Sequence, residues 1–460
     1  MEEKKRGKSW LTWLSAMVAL VVVLGVIISS TAWGAGLVRQ GRTLYYELLP
    51  QAGTEALYVR QLITPDMTTS RIIMWETHAP ESDPVVLYKI AGASDSTIQT
   101  VPATMERFEE DKTVRYIYRA EFTGLTPNST YEYQVGKNVI TKGWHTLHTM
   151  DPKNFTALIF PDSQSSDYRG WKDLVNTAYK ENPEASFFVN MGDLVDNGES
   201  AYQWDAWFGA VEPMIANIPF VGVSGNHEYY SLDWKFKEPT AYDSFFKFDA
   251  PKAKPYSTEA GDSSRRGYYS YDYGDVHFVV LNTQFAEMNE SYRDKVKAEQ
   301  MAWLEQDLAA TTKPWKVVLM HRDTFSYPNT RVASMQAGFS DMGELFMPVF
   351  EKYDVDLVLS AHYHMYRRRG HVESFARSEK GPYYIITGVA GDVKYANIWK
   401  EHPLGEYVSP YLDGDNYLVL RKDNNQLTVD AYLADGTQFD SVILLSLIHI
   451  SEPTRLDVIS

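Results

Sequence analysis

From residue 155 onward, five apolar runs each end in a short polar cluster. The clusters are Phe-Pro-Asp162-Ser-Gln164, Gly-Asp193-Leu-Val-Asp196-Asn-Gly198, Gly-Asn226-His227-Glu228, Met-His321-Arg322 and Ala-His362-Tyr-His364. Each run reads as a buried strand, so each cluster is expected on the loop beyond a strand's carboxyl end. Open α/β sheets gather ligands in that place. A fold that satisfies all five at once is an alternating strand–helix layer structure, with its chemistry along one edge.

The segments between the runs agree with this. Phe155–Phe160, Ser186–Met191, Pro219–Val223, Lys316–Met320, Asp356–Leu359 and Tyr383–Thr387 are expected strands. Helices are expected around Trp171–Lys180, Tyr202–Ile215 and residues 298–309, and a hairpin at Gly274-Asp275. Residues 229–266 read as a long insertion near the clusters, aromatic, charged and broken by Pro and Gly. Residues 56–150 differ in kind: short alternating strands at close spacing suggest a β-sandwich with Trp75 in its core.

The donor types limit the chemistry. The chain has no cysteine, so thiolate catalysis, disulfides and Cys-based zinc sites are excluded. Asp, Asn, Gln and His together suit zinc, manganese or iron. A net charge of −16 argues against a nucleic-acid surface, which needs clustered Lys and Arg. An acidic protein that handles anionic esters has to create positive potential locally, and bound cations do that. Taken singly the clusters say less: Asp162 could be a helix N-cap, Gln164 a polar loop residue, and Arg367-Arg368-Arg369 a solvated charge run. His277 and His371 are read as structural.

The clusters resemble the signature of the calcineurin-like metallophosphoesterase superfamily: DxH, GDxxDxG, GNH[E/D], a later His, and GHxH. With a β-domain in front, the architecture is most similar to the purple acid phosphatase branch, which Gln300–Leu308, Lys313–His321 and Gly274–Phe278 also resemble. The resemblance implies a four-layer α/β (α+β) sandwich with mixed sheets over 151–444, preceded by a fibronectin type III-like sandwich over 56–150. It implies a pair of divalent or trivalent ions (iron, manganese or zinc) bridged by Asp193. Asp162 and His364 would complete one site, with Gln164 as a further ligand, and Asn226, His321 and His362 the other. His227 would be the acid beside the leaving group, oriented by Asp196, with Arg322 and Arg368 as substrate contacts.

There are three departures from the pattern. Gln164 stands where a histidine ligand is common, Ala361 replaces a glycine, and Asp196 stands where purple enzymes place a ferric-iron tyrosine. The last implies a colourless protein. The activity implied is hydrolysis of small phosphomonoesters by a water bridging the metals. A phosphodiesterase or nucleotide hydrolase would use the same core, and outside the enzymes stands an envelope binding protein with a vestigial metal domain.

At the amino terminus, Lys4, Lys5, Arg6 and Lys8 precede an uncharged stretch with Trp10 to Trp33 as its apolar heart. That is enough to span a bilayer's ~30 Å hydrocarbon core, with the basic end cytoplasmic and the rest exported. Residues 1–35 are therefore expected to be a signal anchor, or a signal peptide cut near Ser30-Thr31-Ala32, and 36–55 a linker. The run Leu445–Arg455 matches the translation of a sequencing adapter, so 445–460 is expected to be a non-native tail. Oligomeric state is not legible.

Overall fold

The computed structural model describes residues 55–137, 141, 143–149, 154–248, 267–395, 398–405, 407–411 and 414–445, with isolated residues before 55. The expectations for the amino-terminal anchor (1–35), and for the tail beyond 445, lie outside those residues. Among the described residues no helix is long and apolar enough to cross a membrane.

From residue 155 the chain builds two facing sheets. Phe155–Phe160, Phe187–Asn190 and Phe220–Gly222 run parallel in one. Val276–Leu281, Trp315–Met320, Leu357–Ser360 and Tyr383–Gly388 run parallel in the other. Period-two alternation sends each strand's side chains to two interiors. Ala157, Ile159, Phe187 and Val189 face Phe278, Val317, Leu319 and Leu357 between the sheets. Leu158, Phe160 and Phe188 turn outward onto Trp171, Trp204 and Trp207 of the helices Arg169–Glu181 and Ala201–Ile215. On the opposite outer face, Val279, Leu281 and Val318 meet Leu304, Phe346 and Phe350 of the helices Glu290–Ala310 and Asp341–Lys352. The order is helix, sheet, sheet, helix, the layering expected. Helix Asp341–Lys352 and the antiparallel strands Asn416–Asp423, Gln426–Leu433 and Gln438–Leu445 were not among the elements legible in the sequence.

The β-domain has two sheets over a core of Ile73, Trp75, Val86, Tyr118 and Tyr133, with Trp75 stacked on Tyr118 at 5.0 Å. It is fused to the α/β layers. Leu57–Leu62 pairs in parallel with Phe220–Gly222, making a continuous ten-stranded sheet across the two halves. Buried charge reinforces the seam. Glu76 pairs with Arg60 and Arg115, and Arg115 also reaches Asp205 at 2.7 Å on helix Ala201–Ile215.

His277 is structural, as expected, and its contacts predict a pH effect. The imidazole bonds Asp272 at 2.7 Å and Asp307 at 2.9 Å, fastening the hairpin to helix Glu290–Ala310. Burial alone would lower its pKa, but the two carboxylates outweigh burial and raise it to about 9. A histidine raised in the folded state stabilises fully below its unfolded pKa of about 6.5, and loses that contribution as pH climbs through about 9. His277→Gln is therefore expected to cost up to ~3 kcal/mol near pH 6 and little above pH ~9.5. Thermal unfolding of both proteins across that range checks it; a pH-independent difference would contradict the assignment.

Candidate metal centre

All five clusters emerge at the carboxyl ends of the parallel strands, on one edge of the two sheets. Close backbone approach makes their convergence possible. A Cβ on Gly192 would lie 2.4 Å from the His321 ring, and one on Gly225 would lie 2.1 Å from Asp193 Oδ1. Asp193, His362 and His364 all have left-handed backbones, with φ of 49°, 72° and 51°. Non-glycine residues adopt that region at a cost, and such outliers concentrate where side chains must be aimed. The two imidazoles of His362 and His364 do converge, but through these left-handed turns and not through strand alternation.

Two sets of donors are gathered. Asp193, His321 and His362 offer ligand atoms within 4.8 Å of one another, and so do Asp162, Asp193 and His364. Asp193 belongs to both. Tautomers follow from the outer contacts. His321 Nδ1 donates to the Met191 carbonyl at 2.9 Å and His364 Nδ1 to the Val393 carbonyl at 2.6 Å, so each Nε2 turns a lone pair inward. His321 Nε2 then lies 3.3 Å from Asp193 Oδ2 and 3.2 Å from both Asn226 Oδ1 and His362 Nδ1. Lone pairs crowded this way repel unless a cation or proton lies among them.

Electrostatics says the same. Burial, with Asp193 next to it, raises Asp162 to about 7 despite the pull of His321. Burial would raise Asp193 too, but His321 and His227 hold it below the ordinary carboxylate range. Asp193 in turn outweighs burial at His321 and lifts it to about 9. Burial depresses His362, and brings His364 to about 4. Burial keeps His362 and His364 neutral, while the proton that Asp193 draws onto His321 occupies a place a cation could take. With buried carboxylates and no lysine among the converging groups, the donor set is suited to cations.

Gln164 lies beside His227 at the edge of this set. Its Oε1 is buried with no hydrogen-bond partner among the described residues, while its Nε2 lies 3.2 Å from His227 Nε2. A buried amide oxygen without a partner fits the role of a further, weak oxygen donor to a cation.

His227 sits at the edge of the cluster. Its Nδ1 is 2.8 Å from the Asp196 main-chain carbonyl and 3.5 Å from the Asp196 carboxylate. The backbone oxygen takes the hydrogen bond, while the Asp196 carboxylate stands as the ion-pair partner, so Asp196 orients the ring through its main chain and charges it through its side chain. Burial lowers His227, yet Asp193 and the Asp196 carbonyl outweigh it and hold the ring above the ordinary histidine range.

The arginines divide. Arg322 lies beside the cluster, where its charge helps depress His362, and it is held by Gln284 at 3.2 Å and by Glu287. Arg368 is corrected as a substrate contact: its guanidinium is bound to Asp440 at 2.9 Å and lies over the Tyr407 ring. Nor is the arginine run a solvated one. Arg367 and Arg369, on the other face of the strand Met365–Glu373, are buried, bonding the Trp399 and Lys400 carbonyls and Asp323 respectively.

One residue with a large structural share in the site has no role that sequence alone assigned. Buried Glu228 accepts from the backbone N–H groups of Asp193 (3.0 Å), Leu194 (2.7 Å) and Gly225 (2.7 Å), locking two ligand loops together. Its place directly after Asn226-His227 was the available signal.

Comparison with known proteins places the chain beside the phosphoesterases. A model of the calcineurin-like phosphoesterases matches residues 145–366, and a model of the purple acid phosphatase N-terminal domain matches residues 58–150. The chain thus carries a calcineurin-like phosphoesterase domain behind a domain of the purple acid phosphatase N-terminal kind. Its relatives are purple acid phosphatases. Purple acid phosphatase 23 of Arabidopsis thaliana is 29% identical over 199 residues, covering 43% of this chain and 39% of that protein. Purple acid phosphatase 15 of the same plant is 27% identical over 307 residues, 60% of this chain and 54% of the relative. The chain thus spans about half the length, or less, of these curated relatives. A purple acid phosphatase from yellow lupin (Lupinus luteus) seeds shares the fold at a TM-score of 0.68 and 18% identity, over 85% of this chain and 74% of that one.

Proposed function

We propose that this chain is a metal-dependent hydrolase of small phosphomonoesters. The observation that carries it is the meeting of Asp162, Asp193, Asn226, His321, His362 and His364, with Asp193 common to both donor sets. Asp162, Gln164, Asp193 and His364 would hold one ion, and Asp193, Asn226, His321 and His362 the other. Bound there, a cation pair supplies charge that lowers a water's pKa and offsets that of the phosphoryl oxygens.

The chain's own groups do the rest. His227, anchored through Nδ1 by the Asp196 carbonyl, keeps Nε2 toward the cluster; as an imidazolium it carries a proton there and can pass it to a departing alkoxide. Gln164 Nε2 donates to that nitrogen when it carries no proton, and so holds the ring in place once the proton has left. Arg322, braced by Glu287, places a cation where ester oxygens would approach the edge of the site. The expected division is a β-domain over 56–150 and a catalytic domain over 151–444. The basic, then apolar, amino-terminal stretch supports an extracytoplasmic position, anchored or released by cleavage.

The test is metal analysis of the full chain joined to a panel of aryl, alkyl, diester and nucleotide substrates. About two metal equivalents and chelator-sensitive monoester hydrolysis are expected, with no purple band in the iron-loaded protein. Stoichiometric metal with no hydrolysis of any ester would overturn the reading.

A further inference from the structure

The chain immediately after His227 is built in an unusual way. Tyr230 and Phe236 form an antiparallel bridge, closing a tight hairpin around Ser231–Lys235. Ser231 N–H donates to the Lys235 carbonyl at 2.9 Å and Trp234 N–H to the Ser231 carbonyl at 2.9 Å. Trp234 takes a left-handed backbone, φ 61°, which bulky residues rarely adopt. The hairpin is fastened to the Asp193–Gly198 loop region by Asn197 Nδ2 on the Ser231 carbonyl at 3.0 Å and by Glu199 on Leu232 N–H at 2.8 Å. It therefore holds a fixed position relative to the metal donors.

Beside one exposed ion pair, Asp233–Lys235, it displays a row of apolar side chains. Leu232, Trp234 and Phe236 are 49%, 55% and 58% exposed. The Trp234 and Tyr230 rings both stand edge-to-face with the His227 imidazole, with centroids 6.0 and 5.1 Å away, and Tyr230 stacks on Phe236 at 5.6 Å. Solvated aromatic surface, held in a strained turn against one particular imidazole, points to a contact made during function.

We propose that the 230–236 hairpin is the leaving-group subsite, and that it selects phosphomonoesters whose alcohol carries an aromatic ring, as aryl phosphates and nucleotides do. The inference rests on the reading of His227 as the acid beside the leaving oxygen. A group whose oxygen is within hydrogen-bond reach of His227 has its next atoms alongside Trp234 and Tyr230. An aromatic ring there gains stacking that a glycerol moiety does not. Trp234 acts on binding and not on the proton, so its effect belongs in KM.

The experiment compares kcat and KM for 4-nitrophenyl phosphate, adenosine 5′-monophosphate and glycerol 1-phosphate in wild type, Trp234→Asn and Trp234→Phe. Asparagine tolerates the left-handed backbone, so it removes the ring without opposing the turn. The expected result is a fall in kcat/KM on the two aromatic esters roughly tenfold larger than on glycerol 1-phosphate, carried by KM and restored in Trp234→Phe. Which aromatic ester falls further separates nucleoside from simple aryl preference. Equilibrium dialysis with adenosine, against ribose, reads the subsite without turnover, and weaker adenosine retention by Trp234→Asn supports it even if no ester is hydrolysed. An equal effect on all three esters, unchanged adenosine retention, or loss only of vesicle binding or self-association would overturn the proposal.

Discussion

Asp193→Asn is expected to lower kcat/KM on an aryl phosphate by on the order of 10³-fold or more, and to remove most bound metal. The carboxylate has two commitments. Oδ1 accepts the His227 backbone N–H at 2.8 Å, while Oδ2 faces His321 Nε2 at 3.3 Å within both donor sets. Asparagine has one oxygen to offer. If it keeps the His227 N–H, its NH2 group projects among the ligand lone pairs and the shared negative donor is gone. If it turns around, two donors face each other at the start of the His227 turn. The backbone has no room to relax, since Gly192 and Gly225 already pack against His321 and Asp193. Folding should survive, because the change also removes a buried charge next to Asp162. Metal content by mass spectrometry and circular dichroism separate the two effects. A variant with full metal and activity within tenfold of wild type would sink the bridging role.

The site was legible to the extent that its signals were local. A strand-like run followed by Asp, Asn or His is a pattern within a few residues, and all five such loops meet at one edge. What was not legible depended on partners far away. Arg367 and Arg369 look like solvated charge until Asp323 and the Trp399 and Lys400 carbonyls are placed beside them. Arg368 could not be recognised as Asp440's partner before the last strand was known to lie near it. The β-domain read correctly as two-sheeted, but its fusion into the larger sheet rests on a single register, Leu62 opposite Phe220. Helix Asp341–Lys352 carries Pro348 within it, and a proline in so short an apolar pattern obscures the helix. The Asp196 carboxylate does face His227, but the shorter contact from its own carbonyl was missed, because sequence identifies side chains and is silent on main-chain direction.

Glu228 provides the second large effect, and one that distinguishes positioning from ligation. Its two oxygens take three close backbone N–H groups, from Asp193, Leu194 and Gly225, and Val195 adds a fourth at 3.4 Å. These belong to loops that leave two adjacent parallel strands, so one carboxylate sets the separation between Asp193 and Asn226. Glu228→Ala would leave the three close donors buried without partners, at about 1–3 kcal/mol each, so a stability loss of roughly 3–9 kcal/mol is expected. Glu228→Gln keeps the volume and one acceptor oxygen, but its amide NH2 must face a backbone N–H, and about half that loss is expected. The functional readout is metal affinity. Shifting the two loops should weaken it by about 10–100-fold in either variant, with kcat/KM at saturating metal recovering part of the way. That recovery is the discriminating result: a ligand lost cannot be restored by adding metal, whereas a ligand displaced can be pulled back into place. If excess metal restores nothing in Glu228→Gln, the carboxylate contributes more than position; if affinity is unchanged in Glu228→Ala, the loops are held by other contacts and the positioning role falls.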